Sequence, residues 1–361
     1  MTTLISILIV FFSLIALAII HEFGHFVVAK RFGTNVEEFG IGYPPRITGK
    51  KLGNTFYSLN WLPFGAFVRI KGEEGDVSIE EVQGIQAKPI WQRALIILGG
   101  VISFWLVSII LLTIIFRTGA PITISDATEV DKAKVQIISV AKESPAEEAG
   151  IRVGDTIRNI RYQDSSFNIS KVKEVQEFTE KHKGEKVILI IERGKESIEL
   201  SLIPRIEIPE GQGAIGIGLI RTVIDQYPLP VAFLEAIKTC LNLTSQILMG
   251  FGNAFKNAFY RQPTGVQLMG PIGIGSLMTQ AIEVGFVYYL QLVALISIHL
   301  AIVNLLPIPA VDGGKLLFLG LEKIKGRPLN QKIERGVNSL FFILLIIIMF
   351  FVTIKDIQTI F

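Results

Sequence analysis

HEFGH, residues 21 to 25, directly follows LISILIVFFSLIALAII, residues 4 to 20, a run in which only Ser6 and Ser13 are not apolar. As a helix the run crosses the ~30 Å hydrocarbon layer of a bilayer. Two histidines and a glutamate at its end cost on the order of 2.5–3.5 kcal/mol per ionisable group on insertion scales, so they are expected to face partners inside the protein. Three further apolar runs extend the membrane reading: 94–116 (ALIILGGVISFWLVSIILLTIIF), 286–306 and 338–354. The expectation is a polytopic α-helical membrane protein of about four transmembrane helices. Composition agrees, since half of the 361 residues are hydrophobic and the mean hydropathy is +0.50.

The first run has no Lys or Arg before it, lacks a small-residue cleavage site and continues into the polar motif, so it reads as a retained span and not a signal peptide. A net charge of +3 is too small to argue for nucleic acid as a partner. The single cysteine, Cys240, excludes an internal disulfide. Nine Lys and Arg lie between residues 30 and 93 and six between 315 and 335, which places both loops on the cytoplasmic side. Residues 117–285 are then outside.

His-x-x-x-His on a helix sets two imidazoles one turn apart on one face, able to hold a single ion, with Glu22 beside them where it can take a proton from an attacking water. Zinc suits this set, because it lowers the pKa of water to about 7 and polarises carbonyls. The competing account, two packed histidines with a snorkelling glutamate, leaves three buried ionisable groups without partners. A catalytic zinc needs a third protein ligand. His182 falls in the charged loop EKHKGEK on the wrong side, and His299 falls near mid-membrane, where a helix-packing role suits it better. Asp312 is the only carboxylate in NLLPIPAVDGGK, residues 304–315, where Pro307 and Pro309 interrupt the helix. His21 lies roughly 26 Å along a helix beginning at Leu4, just short of the inner edge of the core, and Asp312 follows the inward end of a span running the same way. The two can meet. An N-cap for a helix starting at Gly313 is the other reading of Asp312. Asn304 can offer its amide to a substrate carbonyl or a developing oxyanion, or else to a plain interhelical hydrogen bond.

Residues 127–205 lose the membrane character. VQIISV (135–140) reads as a strand; SPAEEAG reads as a short helix with Ser144 as N-cap, Pro145 first, Glu147 completing a capping box and Gly150 as stop. A turn at Gly154 and Asp155 leads to a strand near 156–160, KVKEVQEFTEKH is a second helix, and KVILIIERGKESIELSLI is a hairpin turning at Gly194. Residues 206–285 form an amphipathic region; within it 231–259 space apolar residues helically but interrupt them with Glu235, Lys238, Asn242, Ser245 and Gln246, which suits a helix in the lipid interface, a fifth span being the alternative.

The segment with SPAEEAGIRVGDTIRNI at its centre resembles the bacterial type of PDZ domain, a module that takes a peptide as an added strand. HEFGHFVVAKRFGTNVEEFGIGYPPRI, FYSLNWLPFGAFVRIKGEEG and NLLPIPAVDGG, in that order, resemble the site-2 protease family of intramembrane zinc metalloproteases, and the inserted PDZ segment is similar to its regulator-of-sigma-E branch. The resemblance implies Zn2+ held by His21, His25 and Asp312, Glu22 as catalytic base, and Asn304 contacting the substrate backbone. Alternating aromatic and aliphatic residues around Pro63 and Gly65 in 56–73 suggest a hairpin dipping into the membrane from inside, and the resemblance implies that its residues Phe64, Gly65, Ala66 and Phe67 bind substrate as an extra strand, a cytoplasmic hairpin with only a packing role being the alternative. It also implies cleavage of a single-pass membrane protein, commonly a pre-trimmed anti-sigma factor, in the bacterial cytoplasmic membrane, with the PDZ segment as size filter or docking surface for a carboxyl terminus. The domains follow as 1–116 and 286–361 for the membrane part, 127–205 for the PDZ segment and 206–285 for the interfacial region. Three departures stand out: Gly100 and Ser103 in GGVISF replace the proline and asparagine of a Gly-Pro-x-x-Asn-Phe pattern, Gly65–Ala66 replaces two glycines, and there is room for one PDZ domain where many relatives carry two. The rival readings are a catalytically inactive PDZ membrane scaffold, which has no use for all four polar residues, and a metal transporter, which needs a polar path through several spans.

Overall fold

A computed structural model describes residues 3–73, 84–127, 130, 133–194, 196–209, 212–262, 269–327 and 329–360. Glu74 and Gly75, at the end of the second motif quoted above, and 263–268 of the expected interfacial region lie outside the described residues. In chain order the elements are α1 (Thr3–Arg31), β1 (Val36–Leu52), β2 (Thr55–Ile70), α2 (Ile90–Thr118), β3 (Ala120–Ile124), β4 (Lys134–Val140), α3 (Pro145–Glu148), β5 (Thr156–Tyr162) and β6 (Ser165–Asn168). They continue as α4 (Val172–Lys181), β7 (Val187–Arg193), β8 (Glu196–Leu202), β9 (Ile217–Asp225), α5 (Leu229–Phe259), α6 (Pro271–Val284), α7 (Phe286–Leu305), α8 (Asp312–Lys325) and α9 (Gln331–Ile360). The chain divides into two compact units, one of 1–112, 233–280 and 290–361, the other of 113–232 and 281–289.

Four helices among the described residues are long and apolar enough to cross a membrane: Leu4–Arg31, Ile90–Thr118, Phe286–Leu305 and Lys332–Gln358. α5 is not among them, for the polar residues noted above dilute its apolar face. In the first unit α1 and α2 cross at bare backbone. A side-chain carbon at Gly24 would collide with the Gly99 carbonyl oxygen, and one at Gly99 would stand 2.7 Å from the Gly24 oxygen. Small residues at such a crossing let the backbones approach closely and gain dispersion contact, one of the forces that join helices in lipid alongside interhelical hydrogen bonds. The Ser297 hydroxyl of α7 donates to the Phe104 carbonyl of α2 at 2.8 Å, and the Trp105 indole donates to Thr244 of α5 at 3.2 Å.

The region 56–73 corrects the sequence reading. It is not a hairpin turning near Pro63 and Gly65; residues 55–70 are one long strand, β2, and its partner is β1, which went unread. The turn is at Gly53 and Asn54, where Gly53 takes φ 61°. Bends in both strands then give Glu38–Ile41 two sets of partners, Phe56–Leu59 on one side and Ala66–Arg69 on the other, while 46–52 pairs with 55–60. The result is a curled sheet of four segments in the order 46–52, 55–60, 36–41, 66–70, with 66–70 at an edge. Pro63 and Gly65 (φ 134°) sit at a bend, which is why their signal resembled a turn.

In the second unit one sheet runs β3-β9-β4-β5-β7-β8, with β6 paired to β5. Val135, Ile137, Ile157, Ile160, Leu189 and Ile191 are buried together beneath it. The boundaries expected at 127 and 205 are therefore too narrow: β3 and β9 belong to this sheet, and 217–225, assigned to the interfacial region, is a strand between β3 and β4. Its pairing is non-local, so nothing in its own sequence announced it. Ser144 caps α3, accepting from Glu147 N at 3.2 Å, but the Glu147 carboxylate accepts from Glu143 N, one residue before the expected capping-box partner. Asp155, 1% exposed, accepts from Arg152 N at 2.8 Å and from Arg193 Nε and Nη2, each at 2.7 Å. That carboxylate in turn raises the pKa of the Arg193 guanidinium. Asp155→Ala removes the acceptor of Arg152 N and of two Arg193 donors, leaving Arg193 only the Gly150 carbonyl, and is expected to destabilise this sheet by about 1–3 kcal/mol. Faster amide exchange across β4, β5 and β7 in the full-length protein is the check.

Candidate metal centre

Near the C-terminal end of α1, His21 and His25 sit one turn apart with their Nε2 atoms 3.3 Å from each other. Asp312 is the first residue of α8, Val311 being the N-cap, so it does not serve the capping role considered for it. Pro307 and Pro309 end α7 and hold the chain open between the helices, and Gly313 and Gly314 pack so tightly against the backbone of 305–309 that no side chain fits. The Asp312 Oδ2 atom thereby reaches 3.2 Å from His21 Nε2 and 3.1 Å from His25 Nε2. All three side chains are mostly buried.

These three atoms pass a simple test for a metal. A tetrahedral zinc with bonds of about 2.0–2.1 Å holds its ligand atoms about 3.3–3.4 Å apart. The observed edges are 3.3, 3.2 and 3.1 Å, and Asp312 Oδ2 is buried without a hydrogen bond although two ring nitrogens adjoin it. A buried carboxylate oxygen left in this way is costly unless a cation completes its surroundings. Among the described residues this trio is the one group of three with metal-ligand spacing.

The supporting shell belongs largely to α2. His25 Nδ1 lies 2.9 Å from the Ile96 carbonyl oxygen, which fixes Nδ1 as the protonated nitrogen and leaves the Nε2 lone pair facing its partners. His21 is held by stacking on Phe104, centroids 4.7 Å apart and planes within 13°. Gly100 presents bare backbone to both rings: a side-chain carbon there would collide with His25 Nε2 and stand 2.7 Å from His21 Cε1. The departure at Gly100 thus seats the imidazoles directly on α2, while Ser103 returns its hydroxyl to the Gly100 carbonyl. The sequence reading named Gly100 only as a departure and missed Phe104 and the Ile96 carbonyl; the Gly99–Gly100 pair inside an apolar span was the available signal.

Glu22 turns toward the curled sheet, and its Oε2 accepts from Val68 N, on the edge segment 66–70, at 3.0 Å. Glu22, His25 and Asp312 line a cavity of about 160 Å³ together with Tyr43, Ala66, Phe67, Val68, Glu73 and Lys315. That volume accommodates several waters. Lys315 donates to Glu73 Oε1 at 2.7 Å, and the Glu73 carboxylate raises the pKa of that ammonium. Neither residue was singled out from the sequence, although Lys315 ends the motif that contains Asp312.

The hairpin residues divide. Ala66 is buried and lines the cavity with Phe67, which stacks on Tyr43 at 6.1 Å. Phe64 is 71% exposed and packs edge-on against Phe11 of α1, and Gly65 forms the bend. Asn304 is not brought to the cavity: its amide donates to Leu300 O, one turn back in α7, at 2.9 Å. His299 likewise bonds Leu295 O at 2.9 Å, and His182 pairs with Glu185 in the second unit.

Comparison with known proteins agrees with this chemistry. The model of peptidase family M50 matches residues 9–348, and the chain belongs to that family, the site-2 proteases. A Clostridium perfringens protein named as a putative zinc metalloprotease is 32% identical over 343 residues, covering 95% of each chain. The zinc metalloprotease RasP of Geobacillus kaustophilus is 28% identical over an alignment of 441 positions that spans 99% of this chain and 98% of that protein. The RasP of Oceanobacillus iheyensis is 26% identical with both chains covered in full. This chain is accordingly a membrane-located zinc metalloprotease. Since the trio is the described group suited to that ion, Asp312→Ala is expected to lower zinc affinity by ~10²-fold or more, read as metal retained after dialysis of the purified protein.

Proposed function

We propose that this protein cleaves single-pass membrane proteins within their transmembrane segments, near the cytoplasmic ends, as the intramembrane step of regulated proteolysis, with pre-trimmed anti-sigma factors as the substrate class. The observation that carries the reading is the convergence of His21, His25 and Asp312 at the end of an apolar helix, beside a sheet edge that already touches Glu22. Zinc held by those three side chains supplies Lewis acidity toward water and the scissile carbonyl. Glu22 takes the proton of the attacking water and returns it to the leaving amine. His25, its Nδ1 proton committed to Ile96 O, keeps its other nitrogen as a ligand throughout.

A transmembrane helix hides its peptide bonds, so it must be drawn out into extended form before water can attack. The edge segment 66–70 offers backbone groups for that purpose, with Ala66 and Phe67 lining the cavity. Phe64 and Gly65 stand at the approach to this edge. Asn304 contacts substrate only after releasing Leu300 O. The sheet of the second unit is in this reading a PDZ-type module on the extracytoplasmic side of a bacterial inner membrane, accepting or filtering the trimmed end of the substrate, and α5 lies against lipid.

Mass spectrometry of membrane proteins that accumulate when Glu22→Gln replaces the wild-type protein in its native cells tests the reading. Half-trimmed single-pass proteins retaining their transmembrane segments are the expected result. An unchanged membrane proteome would refute it.

A further inference from the structure

Lys315 lies one turn into α8 from Asp312, on the same face, with Nζ 3.7 Å from Asp312 Oδ1. The other carboxylate oxygen, Oδ2, is the one that meets the two imidazoles. Left alone, a lysine on four rotatable bonds would hold no such position. This one is fixed from the far side: its ammonium also donates to Glu73 Oε1, just beyond β2, at 2.7 Å. The pair lines both the cavity of about 160 Å³ beside the trio and a larger one of about 740 Å³ that shares Val68, Ile70 and Ile97 with it. Lys315 and Glu73 therefore stand where the two cavities adjoin.

A carboxylate can give a metal one oxygen or two. A four-coordinate catalytic zinc with three protein ligands takes one from each carboxylate and keeps its fourth position open. An ammonium 3.7 Å from Oδ1 competes electrostatically for the second oxygen. We propose that Lys315, tethered by Glu73, is a positioning residue of the metal centre that keeps Asp312 a one-oxygen ligand. Ligating carboxylates elsewhere are oriented by hydrogen-bonding partners; here the orienting contact is an ion pair at 3.7 Å. The inference rests on the zinc centre assigned above.

The test uses the full-length protein in detergent with Co2+ in place of zinc, because the visible bands of cobalt are intense at four-coordinate sites and weaken when a fifth ligand enters. Lys315→Met is expected to weaken those bands by roughly half and to lower kcat by ~10-fold with KM little changed. Lys315→Arg should restore most of both, and Glu73→Gln, which frees the tether but keeps the cation, should fall between. A wild-type spectrum in Lys315→Met, or an arginine variant no better than methionine, would overturn the proposal. Should Lys315→Met not fold, the ordering of wild type, Lys315→Arg and Glu73→Gln decides by the same criterion. Absence of cobalt bands from the wild-type protein would instead bring down the three-ligand centre and this proposal with it.

Discussion

Glu22→Gln is expected to lower turnover by ~10²–10⁴-fold, the range over which a positioned general base contributes, while zinc content and thermal stability stay at wild-type values. The substitution keeps size and shape, and glutamine retains an acceptor oxygen for Val68 N, the contact that the carboxylate makes at 3.0 Å. What it removes is the capacity to accept a proton. The measurement is cleavage of a reconstituted single-pass substrate alongside metal analysis of the same preparation. Cleavage at the wild-type rate would show that the proton goes elsewhere; loss of zinc together with activity would show that Glu22 holds metal and not a proton. Glu22→Asp should lie between, since the shorter side chain keeps the base but draws it back by one methylene.

Gly24→Val should have the larger effect on the assembled fold. The new carbon would fall on the Gly99 carbonyl oxygen, which is backbone and cannot swing aside, so α1 and α2 must part. The cost belongs at the upper end of the 1–3 kcal/mol typical of overpacking, and 3 kcal/mol falling on the assembled site would weaken zinc binding by ~100-fold. Both rings rest on α2 through Ile96 O, Phe104 and Gly100, so separating the helices loosens the ligands before it unfolds the chain. Zinc retention at graded chelator strengths reads this directly. Gly320→Val is the control, because nothing within 4 Å would meet its side chain; equal zinc loss in the two variants would sink the crossing as the cause.

How much of this was legible in the sequence depended on whether a feature is local. The four apolar helices, the caps around Ser144 and the strands near 135–140, 156–160 and 187–202 follow from periodicity and capping residues within each segment. β1 was illegible because VEEFGIGYPPRITGKKL is broken by two prolines and buries only its first part, Val36 and Phe39 among it, while 43–52 is exposed and pairs with β2 through its backbone. β9 was missed because its partners lie some hundred residues upstream, at 120–124 and 134–140. At the site, the approach of Asp312 to the histidines was reached by helix rise and membrane depth, both properties of single segments. Gly100 was read as a weakened position because its value lies in the absence of a side chain, visible only once two rings occupy that space. Asn304 is the converse case: an amide near a helix break reads as open to substrate or to a packing hydrogen bond, and here it donates back into its own helix.

The order in which the centre's parts leave the ribosome follows from where they sit on the chain. His21, Glu22 and His25 emerge first, whereas the oxygen that closes the triangle belongs to Asp312, beyond α2 to α7 and β1 to β9. A nascent chain arrested anywhere short of α8 holds Glu22 and two imidazoles but no complete socket. Such a fragment lacks one of the three side chains of the metal group, so the capacity to hold zinc in this way arrives only with α8.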